Sequence, residues 1–396
     1  MQNITFLKKH FRFIQKWRAQ KKNVKTNIVL NRNNLSRLPN TSYNMGPDRC
    51  NPKKILFITD ALAPSGGVET RLNNILNNLS NKYWETFLLT EENLYPQLKN
   101  IKNFTLKFRA DNLGECLFDI IRTHKIDVVE FQFKYSRYLR FIDIKKLRLL
   151  CVVGCTVSGF DKSISHRLLK KFDYRICVSN DLVQRYKKIP SALFSIIYNC
   201  IDPKPRLWRF NNPKKAIHIS RISDEYKTRI SGFVDFCKAK DIPFEIAGDR
   251  ESVSAKHVID GLQRVYKIPD SAFIGSIDTL PFLKENINCY LFVGGCGHIA
   301  LEAGCLGIPV FITSAISSIP PVFLTPDNVN YFLDRNFTIR EREIIPINPL
   351  IINSPDSMEE ASICIHKFIT ENRNLQTELT KYQEILHSAL AEKQNR

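Results

Sequence analysis

From Lys53 onward the chain alternates short apolar runs, glycine-bearing turns and segments with helical spacing, and this pattern limits its fold more than any other feature. Lys54-Ile-Leu-Phe-Ile-Thr59 is an apolar run that leads to a turn holding Pro64, Ser65, Gly66 and Gly67. Val68, Leu72, Ile75, Leu76 and Leu79 then recur at helical spacing. An apolar run of that length before a turn and a helix reads as a parallel strand buried on both faces. Similar runs follow at Thr86 to Thr90, Asp127 to Phe131, Leu150 to Val153, Arg175 to Ser179 and Ser195 to Tyr198. Helical stretches fit between most of them, which predicts an α/β sheet covered on both sides.

The rhythm breaks at Asp202-Pro-Lys-Pro205 and Asn211-Asn-Pro213 and then restarts. Ala216 to Ser220, Phe244 to Ala247, Ala272 to Gly275, Asn288 to Val293 and Pro309 to Ile312 read as strands. Arg229 to Lys240, Ala255 to Val265 and His298 to Leu306 read as helices, and the tail from Ser357 is polar and helical. The resulting division is a leader and linker over 1–50, one Rossmann-like unit over 51–205, a second over 206–370, and a C-terminal helix over 371–396.

Charge is uneven along the chain. Lys and Arg total 58 against 39 Asp and Glu, a formal +19. No acidic residue occurs from Met1 to Pro47, where Lys8 to Arg37 include ten cations. On a helical projection of residues 4 to 17, Ile4, Phe6, Leu7, Phe11, Phe13, Ile14 and Trp17 share one side, opposite Lys8, Lys9, Arg12 and Lys16. Such a basic amphipathic helix suits an anionic membrane surface through residues 1–25. The alternatives are a helix packed on the protein itself and a disordered tail. No run reaches the roughly 18 uninterrupted apolar residues of a spanning helix. The 11 cysteines are scattered without a C-x-x-C pair or a metal-ligand cluster, so a reduced, cytoplasmic chain with no bound metal is expected. No nucleic-acid-binding module is found, so no nucleic-acid partner is expected.

Candidate site residues cluster at strand ends. The Gly66-Gly67 turn leads into a helix whose free N–H groups suit a phosphate, although alone two such glycines are ordinarily a tight turn. Phe292-Val-Gly294-Gly295-Cys-Gly297 ends a strand, and His298 through Pro309 follows as a short helix carrying Glu302 among small and apolar residues. A carboxylate there needs a partner or a ligand hydroxyl, unless it is a surface glutamate. Arg221 and Lys227 follow the strand Ala216 to Ser220, where two cations suit a pyrophosphate; the plainer reading is a pair of solvated bases. His218 and His298 are lone histidines that read as structural before they read as catalytic.

Taken in order, these segments resemble the retaining glycosyltransferases of family 4, also called group 1, which have the GT-B fold. The resemblance runs from about Lys53 to Thr313. Ile55 to Asp60 with Gly66-Gly-Val-Glu-Thr70 resembles the family's first strand and Gly-Gly-Val-Glu turn. Cys177-Val-Ser-Asn180, Asn199-Cys-Ile-Asp202 and Ala247-Gly-Asp249 resemble later strand ends. Ser220-Arg-Ile-Ser223 through Lys227 resembles the Gly-Arg-Leu-Ser…Glu-Lys-Gly donor motif with one residue inserted, and Gly295 to Pro309 resembles the Gly-Phe-Gly…Leu-Glu-Ala…Gly-x-Pro signature.

The resemblance implies two Rossmann-like domains facing across a cleft, and transfer of a sugar from a nucleotide-sugar with no bound cofactor. It implies that Arg221 and Lys227 neutralise the departing diphosphate. Gly66, Gly67, Asp249, Gly295, Gly297, His298 and Glu302 would bind the donor, and Glu302 would accept from the ribose. The implied acceptor is a surface glycan or a lipid-linked glycan at the inner face of the membrane. Three departures stand out. Gly294 occupies the place of the family's first glutamate, Ser158 that of a histidine on the acceptor side, and Cys296 that of a common aromatic. They motivate an alternative, a non-catalytic GT-B protein that binds within a glycan-assembly complex.

Overall fold

The structure is a computed structural model. It describes residues 29–30, 52–59, 62, 67–79, 83–91, 98, 102–105, 113–132, 142–155, 166–185, 194–211, 213, 215–339 and 354–394. The amphipathic helix expected within residues 1–25 lies outside them.

The first eight strands form one sheet: β1 (Val29–Leu30), β2 (Lys53–Thr59), β3 (Trp84–Thr90), β4 (Lys102–Thr105), β5 (Val128–Gln132), β6 (Leu150–Cys155), β7 (Tyr174–Cys177) and β8 (Phe194–Ile196). Their order is β1-β4-β3-β2-β5-β6-β7-β8, parallel throughout except where β1 pairs with β4. Helices α1 (Gly67–Asn78), α2 (Leu113–His124), α3 (His166–Leu169) and α4 (Asn180–Arg185) lie between these strands in the chain. The second sheet holds β9 (Lys215–Ile219), β10 (Phe244–Ala247), β11 (Phe273–Gly275), β12 (Tyr290–Gly295), β13 (Val310–Ile312) and β14 (Val322–Phe323) in the order β11-β10-β9-β12-β13-β14, with only β13–β14 antiparallel. With it come α5 (Lys227–Ala239), α6 (Val253–Tyr266), α7 (Thr279–Glu285), α8 (His298–Cys305) and α9 (Val329–Leu333), followed by α10 (Pro355–Asn372) and α11 (Leu375–Gln394). The strands expected from the apolar runs are present, with ends shifted by one or two residues. Strands β1, β4 and β14 are not among the strands expected from the sequence.

Burial follows from the sequence. Strand β2 is buried along Ile55, Leu56, Phe57, Ile58 and Thr59, with Leu56 and Ile58 in the cluster on one sheet face and Ile55 and Phe57 in the cluster on the other. The second sheet has its own core, in which Phe233, Phe236, Phe292, Phe311 and Phe323 interlock; Phe236 and Phe311 approach to 4.5 Å and Phe292 and Phe323 to 5.0 Å between ring centres.

The chain crosses between the halves twice. The outward crossing is at Ile201, whose N–H donates to the Arg373 carbonyl at 2.9 Å. The return is at Arg373 and Asn374, and the Leu375 N–H donates back to the Ile201 carbonyl at 3.0 Å. Helix α11 then buries Leu375, Leu379, Tyr382, Leu386, Ala389 and Leu390 in the same cluster as Ile55 and Phe57. The Tyr382 hydroxyl donates to Glu130 of β5, and Gln132 Nε2 donates to the other oxygen of that carboxylate. Burial pushes the Glu130 carboxyl up, opposed by Tyr382, then Arg71, then Gln132.

Replacing Tyr382 with Phe keeps the ring and removes the donor, leaving one oxygen of a fully buried carboxylate unpaired. The expected loss is about 1–3 kcal/mol of unfolding free energy, measurable from denaturant midpoints at unchanged m value.

Candidate functional site

Each sheet has one place where the chain stops adding strands on one side and restarts on the other. In the first sheet it lies between β2 and β5, and in the second between β9 and β12. In open α/β sheets the carboxyl ends of strands at such a point form the binding crevice. The turns singled out in the sequence leave these strands: Gly67 follows β2, Arg221 follows β9, and Gly294 to Gly297 close β12. The two crevices meet, because His298 Cδ2 lies 3.3 Å from where a Cβ at Gly67 would sit. Gly66 and Ser158 lie outside the described residues.

The turn before α8 depends on its glycines. Gly297 has φ 59° and ψ −124°, a conformation that side chains strongly disfavour, and a Cβ at Gly295 would lie 2.6 Å from Ile299. Among the described residues no side chain caps the start of this helix, whose first N–H groups have no partner within the helix. At its first position His298 is buried, and no group among the described residues pairs with its Nε2. Burial, then Arg71, then Arg373 lower its pKa to about 4, so the ring is neutral at physiological pH and is no source of positive charge.

Glu302 stands one turn further along α8, on the His298 face. Burial, then the charge of Asp278, raise its carboxyl to about 8, opposed by a hydrogen bond from the Thr279 side chain. A carboxylate held this far up is a poorly satisfied acceptor that gains from a ligand hydroxyl. Asp249 has different work: its oxygens accept from the N–H groups of Glu251 at 2.9 Å and Ser252 at 3.3 Å. These bonds hold the turn into α6 and lower the Asp249 carboxyl.

The two cations expected on a diphosphate, Arg221 and Lys227, are both exposed and lie against different groups. Arg221 is exposed at the end of β9, and its charge acts on the Tyr226 hydroxyl together with that of Arg229. Arg229 Nη1 donates to the Thr313 carbonyl at 2.9 Å, and its guanidinium lies 5.6 Å from the centre of the Tyr226 ring. Lys227 opens α5, and its ammonium rests against α6, 3.7 Å from where a Cβ at Gly261 would sit. Tyr226 and Arg229 drew no attention in the sequence. The trace in the sequence is the one extra residue relative to the donor motif that this segment resembles, which moves Lys227 on by one helical position.

Two more arginines were missed. Arg71 and Arg373 are buried, and both bear electrostatically on His298. Arg71 Nη1 reaches the Ile197 carbonyl at 3.5 Å, and Arg373 lies 3.8 Å over the Tyr198 ring with Nη2 donating to the Leu333 carbonyl. Arg71 interrupts the apolar face of α1, which is the trace it leaves in the sequence.

His218, at the end of β9, is fully buried and burial lowers its pKa to about 3. It lies 3.4 Å from Thr313 Oγ1 and 3.3 Å from Ser220 Oγ, a structural placement. Gly294 is closed to any side chain, since a Cβ there would sit 2.6 Å from Phe233 Cδ2 and 3.1 Å from His218 Cδ2. Among the described residues, no group of three or more His, Cys, Asp or Glu side chains is arranged to hold a metal ion. Cys151, Cys177, Cys200, Cys237 and Cys305 are buried free thiols.

No family model and no curated protein sequence matches the chain. Solved structures do. Anabaena HepE in complex with UDP-glucose superposes with a TM-score of 0.63 at 17% identity, covering 85% of this chain and 99% of that one. A glycosyltransferase from Rickettsia africae gives 0.61 at 15%, covering 86% and 99%. The lipopolysaccharide outer core galactosyltransferase WaaB gives 0.55 at 16%, covering 85% and 99%. The fold is GT-B. A Listeria monocytogenes protein assigned as a UDP-N-acetylglucosamine 2-epimerase shares it at 8% identity and a TM-score of 0.53, so the likeness leaves the reaction to the site.

The interlocked rings around Phe233 cannot make room at Gly294. Gly294→Glu is expected to lower unfolding free energy by about 2 kcal/mol or more, read from denaturant midpoints, and not to supply an acidic group to the cleft.

Proposed function

We propose that the protein is a glycosyltransferase that moves a sugar from a nucleotide-sugar to a glycan acceptor with retention of configuration. The observation that carries this reading is the meeting of two strand-end crevices at Gly67 and His298, with Arg221 and Glu302 on the second-sheet side. HepE, a protein of this fold, is solved with UDP-glucose, which supports a UDP-sugar among the candidate donors. In this reading the diphosphate lies at the bare N-terminus of α8, Arg221 offsets the charge that grows on it, and Glu302 accepts from a ribose hydroxyl. Closure at the Gly67–His298 contact excludes water, which favours transfer over hydrolysis. WaaB acts on the lipopolysaccharide outer core, which supports an amphiphilic acceptor. The basic leader would hold the enzyme on the inner membrane face near such an acceptor. The non-catalytic alternative gains nothing from these comparisons.

The primary test is a melting-temperature panel with nucleoside diphosphates and nucleotide-sugars, followed by mass analysis of products. Selective stabilisation by one donor and sugar transfer to an acceptor are expected; epimerised donor or no stabilisation by any of them would defeat the reading.

Glu302 gives this a pH signature. Its carboxyl is protonated in both states below about pH 4.5, and only the unfolded chain ionises freely between there and about 8. Ligand-free protein thus loses stability through that window as pH rises, and Glu302→Gln should lose less. A hydroxyl donating to the ionised form favours it, so donor affinity should rise between pH 7 and 9 in the native chain and stay flat in Glu302→Gln, by calorimetric titration.

For the leader, removing residues 1–47 should weaken sedimentation with vesicles rich in phosphatidylglycerol several-fold and leave donor binding intact. Equal sedimentation of the shortened chain would remove the membrane role.

A further inference from the structure

A residue inserted between a strand-end arginine and a helix-start lysine changes where the second charge points. One position along a helix turns a side chain by about 100°. Lys227 is the first residue of α5, and its ammonium lies against Gly261 of α6. Tyr226 occupies the position before it, and Arg229 stands three residues after Tyr226, on the same side of the helix. The guanidinium of Arg229 lies 5.6 Å from that ring and donates at 2.9 Å to the Thr313 carbonyl. Thr313 in turn donates its N–H to the Gly295 carbonyl at 3.2 Å, which fixes Arg229 relative to the turn that opens α8. The Tyr226 hydroxyl senses Cys296 of that turn, then Arg221, then Arg229. Arg229 has no carboxylate partner among the described residues, and one N–H on a carbonyl leaves most of its planar fork free.

We propose that Arg229, and not Lys227, is the second cation on the donor's diphosphate, acting with Arg221 around Tyr226. This rests on the nucleotide-sugar reading above. Transfer breaks the bond from the anomeric carbon to the β-phosphate oxygen and leaves the electron pair on the diphosphate. The acceptor oxygen bonds to that carbon and gives up its proton to the medium. The charge gained by the diphosphate is what a guanidinium fork at this place meets with paired N–H groups. Lys227 then belongs to the packing of α5 against α6, where an ammonium covers Gly261.

The test uses the full chain with Arg229→Gln, Arg229→Lys and Lys227→Met. Glutamine keeps an N–H for the Thr313 carbonyl while removing the charge, and the ligand-free melting temperature reports whether the fold is intact. The probes are UDP, GDP, ADP, their nucleosides and inorganic pyrophosphate. For the nucleoside diphosphate that binds the native chain, Arg229→Gln should weaken binding about tenfold or more, the scale of a lost charge-assisted hydrogen bond. It should weaken pyrophosphate likewise and leave the nucleoside unchanged. Arg229→Lys should recover part of the loss, and Lys227→Met should stay within about twofold of the native chain. Diphosphate binding lost in Lys227→Met and kept in Arg229→Gln would overturn the assignment. So would an Arg229→Gln loss equal for nucleoside and diphosphate, which marks a structural role. Failure of the native chain to bind any of the diphosphates would instead sink the donor reading, and this proposal with it.

Discussion

The buried carboxylate of Glu130 organises the first half of the molecule. It lies in the middle of β5, the strand at which strand order reverses, and burial disfavours its ionised form unless partners answer it. Tyr382 from the last helix, Gln132 from its own strand and the charge of Arg71 from α1 answer it together. This cluster thereby ties the first helix, the central strand and the C-terminal helix together. The position of Gly67, at the start of the helix that bears Arg71, follows from this arrangement.

The second half solves a different problem. Its turn before α8 leaves the helix start without a side-chain cap among the described residues while packing tightly beneath. Glycine answers both needs, by its positive φ at Gly297 and by the absence of a side chain at Gly294 and Gly295. The packing that closes Gly294 comes from Phe233 and His218, so the absence of a side chain there is part of how this core fits together. The electrostatics of the crevice then fall to arginines and to one raised carboxyl, with both histidines held neutral by burial.

Much of this was legible in the residues. Fully buried parallel strands write themselves as apolar runs, so β2, β5, β6, β9, β12 and β13 were visible, and the glycine turns that follow them marked the crevices. Strands near the margin need not be written that way. Lys102–Thr105 pairs between β3 and the two-residue edge strand β1 and carries a mixed sequence without a continuous apolar run. The direction of a side chain around a helix was also hidden: Lys227 and Arg229 differ by two positions, yet one rests on α6 and the other on the Tyr226 side. Asp249 matched a motif while its oxygens serve the local turn. Arg71 and Arg373 were invisible as a pair because 302 residues separate them and only the double crossing brings them near the same histidine.

That double crossing bears on how the chain is made. The core beneath Ile55 and Phe57 includes Leu379, Leu386 and Leu390 of the last helix, and Glu130 finds its phenol 252 residues further on. During synthesis the first sheet and α1 emerge early, but the part of one sheet face that the last helix covers stays open while the entire second half is translated. That apolar patch is what a chaperone would meet on the nascent chain, and its closure waits for the final helix to clear the ribosome.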